Sequence, residues 1–240
     1  MRPRIAIPVP HSQKPDYAQR SLPQYVSAIQ AAGGQPAVVQ LTWPSEQIAK
    51  ALRDCDAVLL PGSSADVDPQ KYGAAKRPET APADPLRDAA DELLLQDAYN
   101  LRKPIFGICY GLQSLNVWRT GTLVQDIAAE LHSPVNHEAG RTVSHAHDVE
   151  IESGSKLGEI VSAAQIPVNS SHHQAAQVIG DGLRAVARSS EDKIIEAVEG
   201  SDPEHFVLAV QWHPERTYDE EPASRALFRA FISAAKNKST

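Results

Sequence analysis

The chain has 240 residues, a formal net charge of −7 and an apolar share of 42%, enough for one large domain with a substantial core. The acidic balance argues against a general affinity for nucleic acid or an anionic membrane. Two cysteines, Cys55 and Cys109, make neither a disulfide framework nor a zinc ligand set, and no stretch reaches the roughly 20 apolar residues of a membrane span. The opening MRPRIAIPVP carries two arginines, but its apolar run is short and broken by prolines, so it lacks a signal-peptide core. A cytoplasmic, reducing location is the expectation.

In chain order, Arg4 to Val9 reads as a short buried strand. Tyr25, Val26, Ile29 and Ala32 fall at helical spacing, with Gly33-Gly34 as the stop. Ala37 to Leu41 is a second β-rich run, Ser45 to Arg53 a helix with Ser45 as its N-cap, and Ala57 to Leu60 a third strand ending at Pro61-Gly62. A loop rich in Pro, Ala, Asp and Lys runs from Ser63 to Ala83, and loops of that length are usually functional or mobile. Asp84 caps the next helix, with Pro85 in its first turn. Leu86, Ala89, Ala90, Leu93, Leu94, Ala98 and Leu101 give that helix an apolar face. Pro104 ends it, and Ile105 to Ile108 is a fourth strand.

Strands and helices thus alternate, which implies an α/β fold: a mostly parallel sheet with helices on both faces. Such sheets bind ligands at the carboxyl ends of their strands, where Pro61-Gly62 and Cys109 both fall. In the second half, Ser144 to Ile151, Leu183 to Arg188, Lys193 to Val198 and His205 to Gln211 are strand-like with hairpin-like spacings, an additional antiparallel β portion. Pro222 to Lys236 is amphipathic, with Ala223, Ala226, Leu227, Ala230, Phe231 and Ala234 on one face. No repeat, low-complexity tract or linker divides the chain, so residues 1–240 read as a single domain.

Gly107-Ile108-Cys109-Tyr110-Gly111 has the G-x-nucleophile-x-G form of a strand-to-helix elbow. Such a bend strains the backbone at the nucleophile, and flanking glycines give it room. The next helix aims its N-terminal N–H groups at the sulfur, which favours thiolate and can stabilise an oxyanion on an attacked carbonyl. Burial as an inert core residue is the alternative for Cys109, and it is the preferred reading for Cys55, which lacks glycine flanks.

A thiol nucleophile needs a base, usually histidine. In Val210-Gln211-Trp212-His213-Pro214-Glu215 a strand delivers His213 at its end, and Glu215 can reach the second imidazole nitrogen to fix its tautomer. A purely structural strand-end histidine is the alternative. His145 and His147 share one face of a presumed strand, but no third ligand is apparent, so solvent-facing histidines are preferred to a metal pair. His172-His173 lies in a polar loop that could line a pocket. His11, His132, His137 and His205 carry no usable signal.

The segments PIFGICYGLQSLNV, TGTLVQDI, VNSSHHQA and VQWHPE occur in the order seen in class I glutamine amidotransferase-like proteins. With LPGSSADVDPQKYG and DPLRDAADELLLQDAY, the chain resembles, over nearly its whole length, the gamma-glutamyl-gamma-aminobutyrate hydrolase branch, the C26 peptidase-like group. The resemblance implies a flavodoxin-like α/β core and a triad of Cys109 as nucleophile, His213 as base and Glu215 as its orienter. It places the oxyanion hole at the backbone of Ser63 and Tyr110, and the glutamyl group near Gln113, Ser171 and His172. It implies a hydrolase for a small-molecule γ-glutamyl amide, leading substrate γ-glutamyl-GABA, acting through a thioester with no cofactor and no metal. No nucleic-acid or membrane partner is implied, and a homodimer is compatible. Three positions depart from the pattern: Tyr110 where arginine is frequent, Thr120-Gly121 for a double glycine, and Gly62-Ser63 for another. Tyr110 and the 63–83 loop are therefore expected to shape the leaving-group side of the pocket. A glutaminase subunit feeding ammonia to a separate synthetase, and a binding protein without catalysis, are the alternatives.

Overall fold

The computed structural model describes residues 2–238. The first half comprises β1 (Arg4–Pro8), α1 (Pro15–Ala31), β2 (Gln35–Val39), α2 (Ser45–Arg53), β3 (Ala57–Leu60), α3 (Pro85–Asn100), β4 (Ile105–Ile108) and α4 (Tyr110–Trp118). There follow β5 (Leu123–Val124), α5 (Ile127–Leu131), β6 (His147–Ile151), α6 (Lys156–Val161), β7 (Gln165–Val168), β8 (Ala175–Ala176), β9 (Leu183–Ser189), β10 (Ile195–Gly200), β11 (Val207–Val210) and α7 (Pro222–Lys238). Nine strands form one sheet in the order β2-β1-β3-β4-β11-β10-β9-β6-β7. The β2-β1-β3-β4-β11 half is parallel and the remainder antiparallel. A separate antiparallel ribbon joins β5 to β8. The chain is therefore α/β with an added antiparallel portion, as its pattern implied. No helix among the described residues is long and apolar enough to cross a membrane.

Strands β3, β4 and β11 are apolar at every position because both sheet faces are covered. Side chains alternate between the faces. Ile5, Ile7, Leu59, Phe106, Ile108, Leu208 and Val210 pack under Tyr25, Ala28 and Ile29 of α1 and Leu227, Phe228 and Phe231 of α7. Ala6, Val58, Leu60, Ile105, Val207 and Ala209 pack under Ile48 and Leu52 of α2, Leu94 and Ala98 of α3, and Leu112 and Leu115 of α4. Cys55 belongs to this second cluster, the inert core position expected of it.

Several local expectations need correction. β2 begins two residues earlier than its apolar run, because Gln35 continues the pairing with Arg4. Ser45 is the first residue of α2 rather than its cap, the cap position being Pro44. β7 contains Pro167 and has no counterpart in the apolar pattern; at the sheet edge its missing N–H costs no ladder bond.

The largest departure is in α3. Leu86 and Leu101 are half exposed, while Arg87, Asp88 and Asp91 are buried. Arg87 explains the rotation. Its Nε donates to Asp91 Oδ1 at 2.7 Å, Nη1 to Pro10 O at 3.0 Å and Nη2 to Pro61 O at 2.6 Å. One guanidinium thus satisfies carbonyls where the chain leaves β1 and β3. An apolar-periodicity rule gives no weight to that use of charge.

Arg87→Met is expected to lower unfolding free energy by roughly 3–5 kcal/mol, since it strands a buried carboxylate and two buried carbonyls. A urea midpoint unchanged from that of the parent chain would refute this assignment.

Candidate active site

The register pairs Leu60 with Gly107 and Val210 with Ile108, so the carboxyl ends of β3, β4 and β11 lie side by side. The chain leaves the sheet at three adjacent points: Pro61 to Ser63, Cys109, and Gln211 to Glu215. Each delivers one part of the site.

At Cys109 φ is 53° and ψ is −106°. A non-glycine residue adopts such a backbone at a cost of about 1–3 kcal/mol, and only when its surroundings dictate it. Here Cys109 N–H donates to Val210 O at 2.8 Å, and Cys109 O accepts from Leu112 N–H at 3.0 Å. A Cβ on Gly107 would lie 2.9 Å from Ala209 Cβ and from the Gly111 carbonyl, and one on Gly111 would collide with Leu60 O. The glycine flanks are thus required for close approach of the elbow to β3 and β11.

Cys109 and His213 bracket a single spot. A methyl on Gly62 would lie 3.1 Å from His213 Cε1 and 3.6 Å from Cys109 Cβ. His213 Nδ1 donates to Glu215 Oε1 at 2.8 Å, and His213 Nε2 is buried without a hydrogen-bond partner among the described residues. Asn169 fixes the histidine's backbone: its Nδ2 donates to His213 O and its Oδ1 accepts from His213 N–H, both at 2.8 Å. The amide side chain acts as a short length of strand for a residue that the following Pro214 removes from the ladder.

Burial sets the charge states. It pushes the Cys109 thiol up to about 12, against the Arg216 guanidinium and the Tyr110 N–H. It lowers His213 to about 4, against the attraction of Glu215. For Glu215 burial acts upward, but His213 and Arg216 outweigh it and hold the carboxyl below its ordinary value. Burial thus favours a neutral thiol beside a neutral imidazole at rest, against the pull toward thiolate of the helix N-terminus. A helix end supplies up to ~2 kcal/mol, less than the desolvation of a buried sulfur anion.

A cavity of about 230 Å³ opens over the sulfur, lined by Ser63, Cys109, Gln113, Ser171, His172 and His213. Gly62 N–H is already given to Tyr25 Oη at 3.0 Å, and Ser63, Ser64, Ala65 and Asp66 line the cavity from that loop. Gln113 is buried, its Nε2 donating to Gln174 O and Gln211 Oε1, both at 3.2 Å. His172 shows its ring to the cavity but turns Nδ1 to Gln174 O at 2.9 Å and Nε2 toward Glu196. Tyr110 needs correction. Its N–H serves the sulfur, but its hydroxyl donates to Asp88 at 2.6 Å beneath Arg87, and its ring packs with Ala65, Val67 and Val117. It therefore shapes the support of the 63–83 loop, not the pocket. That loop is held down: Asp66 accepts from Ala81 N–H at 2.7 Å, and Gln125 accepts from Thr80 Oγ1 at 2.6 Å.

A model of the peptidase C26 family matches residues 6–215. The chain belongs to that family. It is 34% identical to the gamma-glutamyl-gamma-aminobutyrate hydrolase PuuD of Escherichia coli, across 98% of this chain and 94% of that one. It is 36% identical to YvdE of Lactococcus lactis, named as glutamine amidotransferase-like, across 79% and 78% of the two chains. A Thermoplasma acidophilum protein named for GMP synthase superposes with a TM-score of 0.68 at 15% identity, over all of this chain and 96% of that one. That likeness concerns the fold alone.

Sequence reading missed two cations at the cavity, Arg141 and Arg216. Arg216 donates to Ser171 Oγ at 2.8 Å. Burial and the nearby charge of Arg216 lower Arg141 from its ordinary value, which places the two guanidinium groups within electrostatic reach. Arg216 directly follows the HPE segment and was open to notice. Arg141 sits in an irregular loop with no pattern to mark it.

With Cys55→Ala as background, Cys109 is expected to alkylate with iodoacetamide far more slowly than a free thiol at neutral pH. The rate should keep climbing beyond the pH of about 8.5 where an ordinary thiol ionises. A rate that levels off below pH 8, followed by peptide mass spectrometry, would mean that the resting sulfur is a thiolate.

Proposed function

We propose that this chain hydrolyses the γ-glutamyl amide bond of a small γ-glutamyl amine, with γ-glutamyl-GABA the leading substrate. The observation that carries this reading is Cys109 in its strained elbow facing His213, whose other nitrogen is held by Glu215. Family membership and the full-length likeness to a gamma-glutamyl-gamma-aminobutyrate hydrolase support the reaction class. Arg141 and Arg216 favour a substrate carrying carboxylates, which γ-glutamyl-GABA has at both ends.

In this mechanism the thiol attacks the δ-carbonyl as His213 Nε2 takes its proton, so the sulfur becomes nucleophilic only as the bond forms. Glu215 stabilises the imidazolium. The N–H groups of Ser63 and Tyr110 face the developing oxyanion. The imidazolium then protonates the departing amine, leaving a γ-glutamyl thioester on Cys109. Water, deprotonated by His213, attacks the thioester and releases glutamate and the thiol. Side chains and backbone supply every protein group that these steps use.

Cys109→Ala is expected to reduce glutamate release from γ-glutamyl-GABA by roughly 10⁴-fold or more, and undiminished turnover would remove the cysteine from the chemistry. The base must be neutral, so kcat/KM should be full well above the His213 value of about 4 and fall as pH drops through it. An acid limb near the ordinary histidine value of about 6.5 would contradict the buried, neutral imidazole. Arg141→Met is expected to raise KM for γ-glutamyl-GABA by roughly 10-fold or more, and to affect a γ-glutamyl-alkylamine, which lacks the carboxylate on the amine side, much less. Equal effects on both would take Arg141 away from the amine's carboxylate.

A further inference from the structure

Beside the cavity, but apart from Cys109, four side chains converge from separate elements: His137 from the loop after α5, His147 from β6, His172 from the loop after β7, and Glu196 from β10. Their ligand atoms all lie within 4.8 Å of one another. Glu196 Oε1 is 3.3 Å from His137 Nδ1, 3.5 Å from His147 Nε2 and 3.6 Å from His172 Nε2. The side chains are between 0% and 3% exposed. None of these three nitrogens, and neither Glu196 oxygen, has a hydrogen bond among the described residues.

The tautomers explain why. His137 Nε2 faces Asp192 Oδ2 at 2.9 Å, His172 Nδ1 faces Gln174 O at 2.9 Å, and His147 Nδ1 faces Asp148 O at 3.3 Å. A carboxylate or a carbonyl can only accept, so each of these outer nitrogens carries the proton. In the neutral ring each inner nitrogen is then a bare lone pair. With the three rings neutral, three lone pairs and a carboxylate meet in a buried pocket with no side-chain donor between them. A single proton could join one nitrogen to Glu196 but would leave the other two unmatched. Buried acceptors facing acceptors are costly without a cation.

We propose that His137, His147, His172 and Glu196 form a binding site for a divalent transition-metal ion, with Zn(II) the best match. Three imidazoles and one carboxylate suit zinc in four-coordination. Bonds of 2.0–2.2 Å in a tetrahedron require ligand atoms about 3.3–3.6 Å apart, and the three distances from Glu196 already meet this. Binding must draw the nitrogens closer together. The outer partners, a carboxylate and two carbonyls, fix each ring's tautomer and orientation, as the partners of zinc-bound histidines do. A small cavity of about 70 Å³ lined by His137 and His172 gives a way in. Glu138 and Ser171, each next to a ligand in sequence, line the cavity over Cys109. The ion would therefore fix the wall of that cavity without touching the sulfur.

The test uses the whole untagged chain, stripped with a chelator and dialysed. Zn(II) is expected to bind at one equivalent per chain, and Co(II) to give the intense visible absorption of a tetrahedral site. Melting temperature should rise by roughly 5–10 °C at a zinc concentration about 100 times Kd. Asp192→Asn should weaken zinc by roughly 10–100-fold, and His147→Asn should abolish the cobalt band, whereas Cys109→Ser should leave both metals bound. The proposal is overturned if the stripped parent chain shows no cobalt band and no zinc-dependent rise in melting temperature. It is equally overturned if zinc binds but is lost in Cys109→Ser and kept in His147→Asn, which would put the ion at the thiol.

Discussion

At Cys109 the backbone turns from β4 into α4 with φ at 53°, and its neighbours leave it no other course. Val210 takes its N–H, the first turn of α4 takes its carbonyl, and the close approach of Gly107 to Ala209 and of Gly111 to Leu60 closes the remaining space. Strain of this kind persists only where the surroundings over-determine it. The parallel register of β3, β4 and β11 is what supplies those surroundings, and the same register brings Ser63 and His213 to either side of the bend. The sulfur, its partner and the loop beside it are therefore consequences of one stretch of strand pairing. Arg87 completes the arrangement from below, holding the chain where it leaves β1 and β3.

Burial then decides the chemistry available at that bend. A sulfur anion in this pocket would face Glu215 and lose hydration to burial, and the nearby N–H of Tyr110 and guanidinium of Arg216 do not offset the loss. The imidazole is likewise kept neutral. Glu215, wholly buried, stays ionised because His213 and Arg216 lie against it. In the proposed mechanism the charge thus stays on the one member that does not change bonds. An imidazolium formed during attack would be met at once by a carboxylate 2.8 Å away. This argues for proton transfer concerted with attack, rather than a standing ion pair.

Much of this was legible because it rests on short-range patterns. The strand at Ala57–Leu60, the elbow at 107–111 and the HPE segment after β11 are each set by residues within a few positions of one another. What escaped depends on partners far along the chain. The buried face of α3 carries Arg87, Asp88 and Asp91 because of carbonyls at Pro10 and Pro61, which no helical wheel contains. The position of Tyr110 next to the cysteine suggests a place toward the substrate, yet α4 turns it toward Asp88. His145 and His147 are equivalent in a strand pattern but not in the fold. His145 is exposed and pairs with Glu221, while the side chain of His147 is buried against Glu196. The third and fourth members of that group, His137 and His172, come from irregular loops whose fold no local pattern records.

The two buried histidine groups differ in a way that hydrogen-bond counting makes plain. At His213 one nitrogen gives its proton to Glu215 and the other is open toward the cavity, so the ring can accept a proton and later return it. At His137, His147 and His172 every outer nitrogen is committed to an acceptor, and every inner nitrogen faces Glu196. Rings held so firmly are poor proton carriers but good ligands. His172 stands between the two groups, its ring in the wall of the cavity and its nitrogens turned away from it. While those partners are kept, neither of its nitrogens is open to the cavity. The guanidinium groups of Arg141 and Arg216 line the same cavity, together with His173, whose pKa Asp66 and Asp126 raise to about 9.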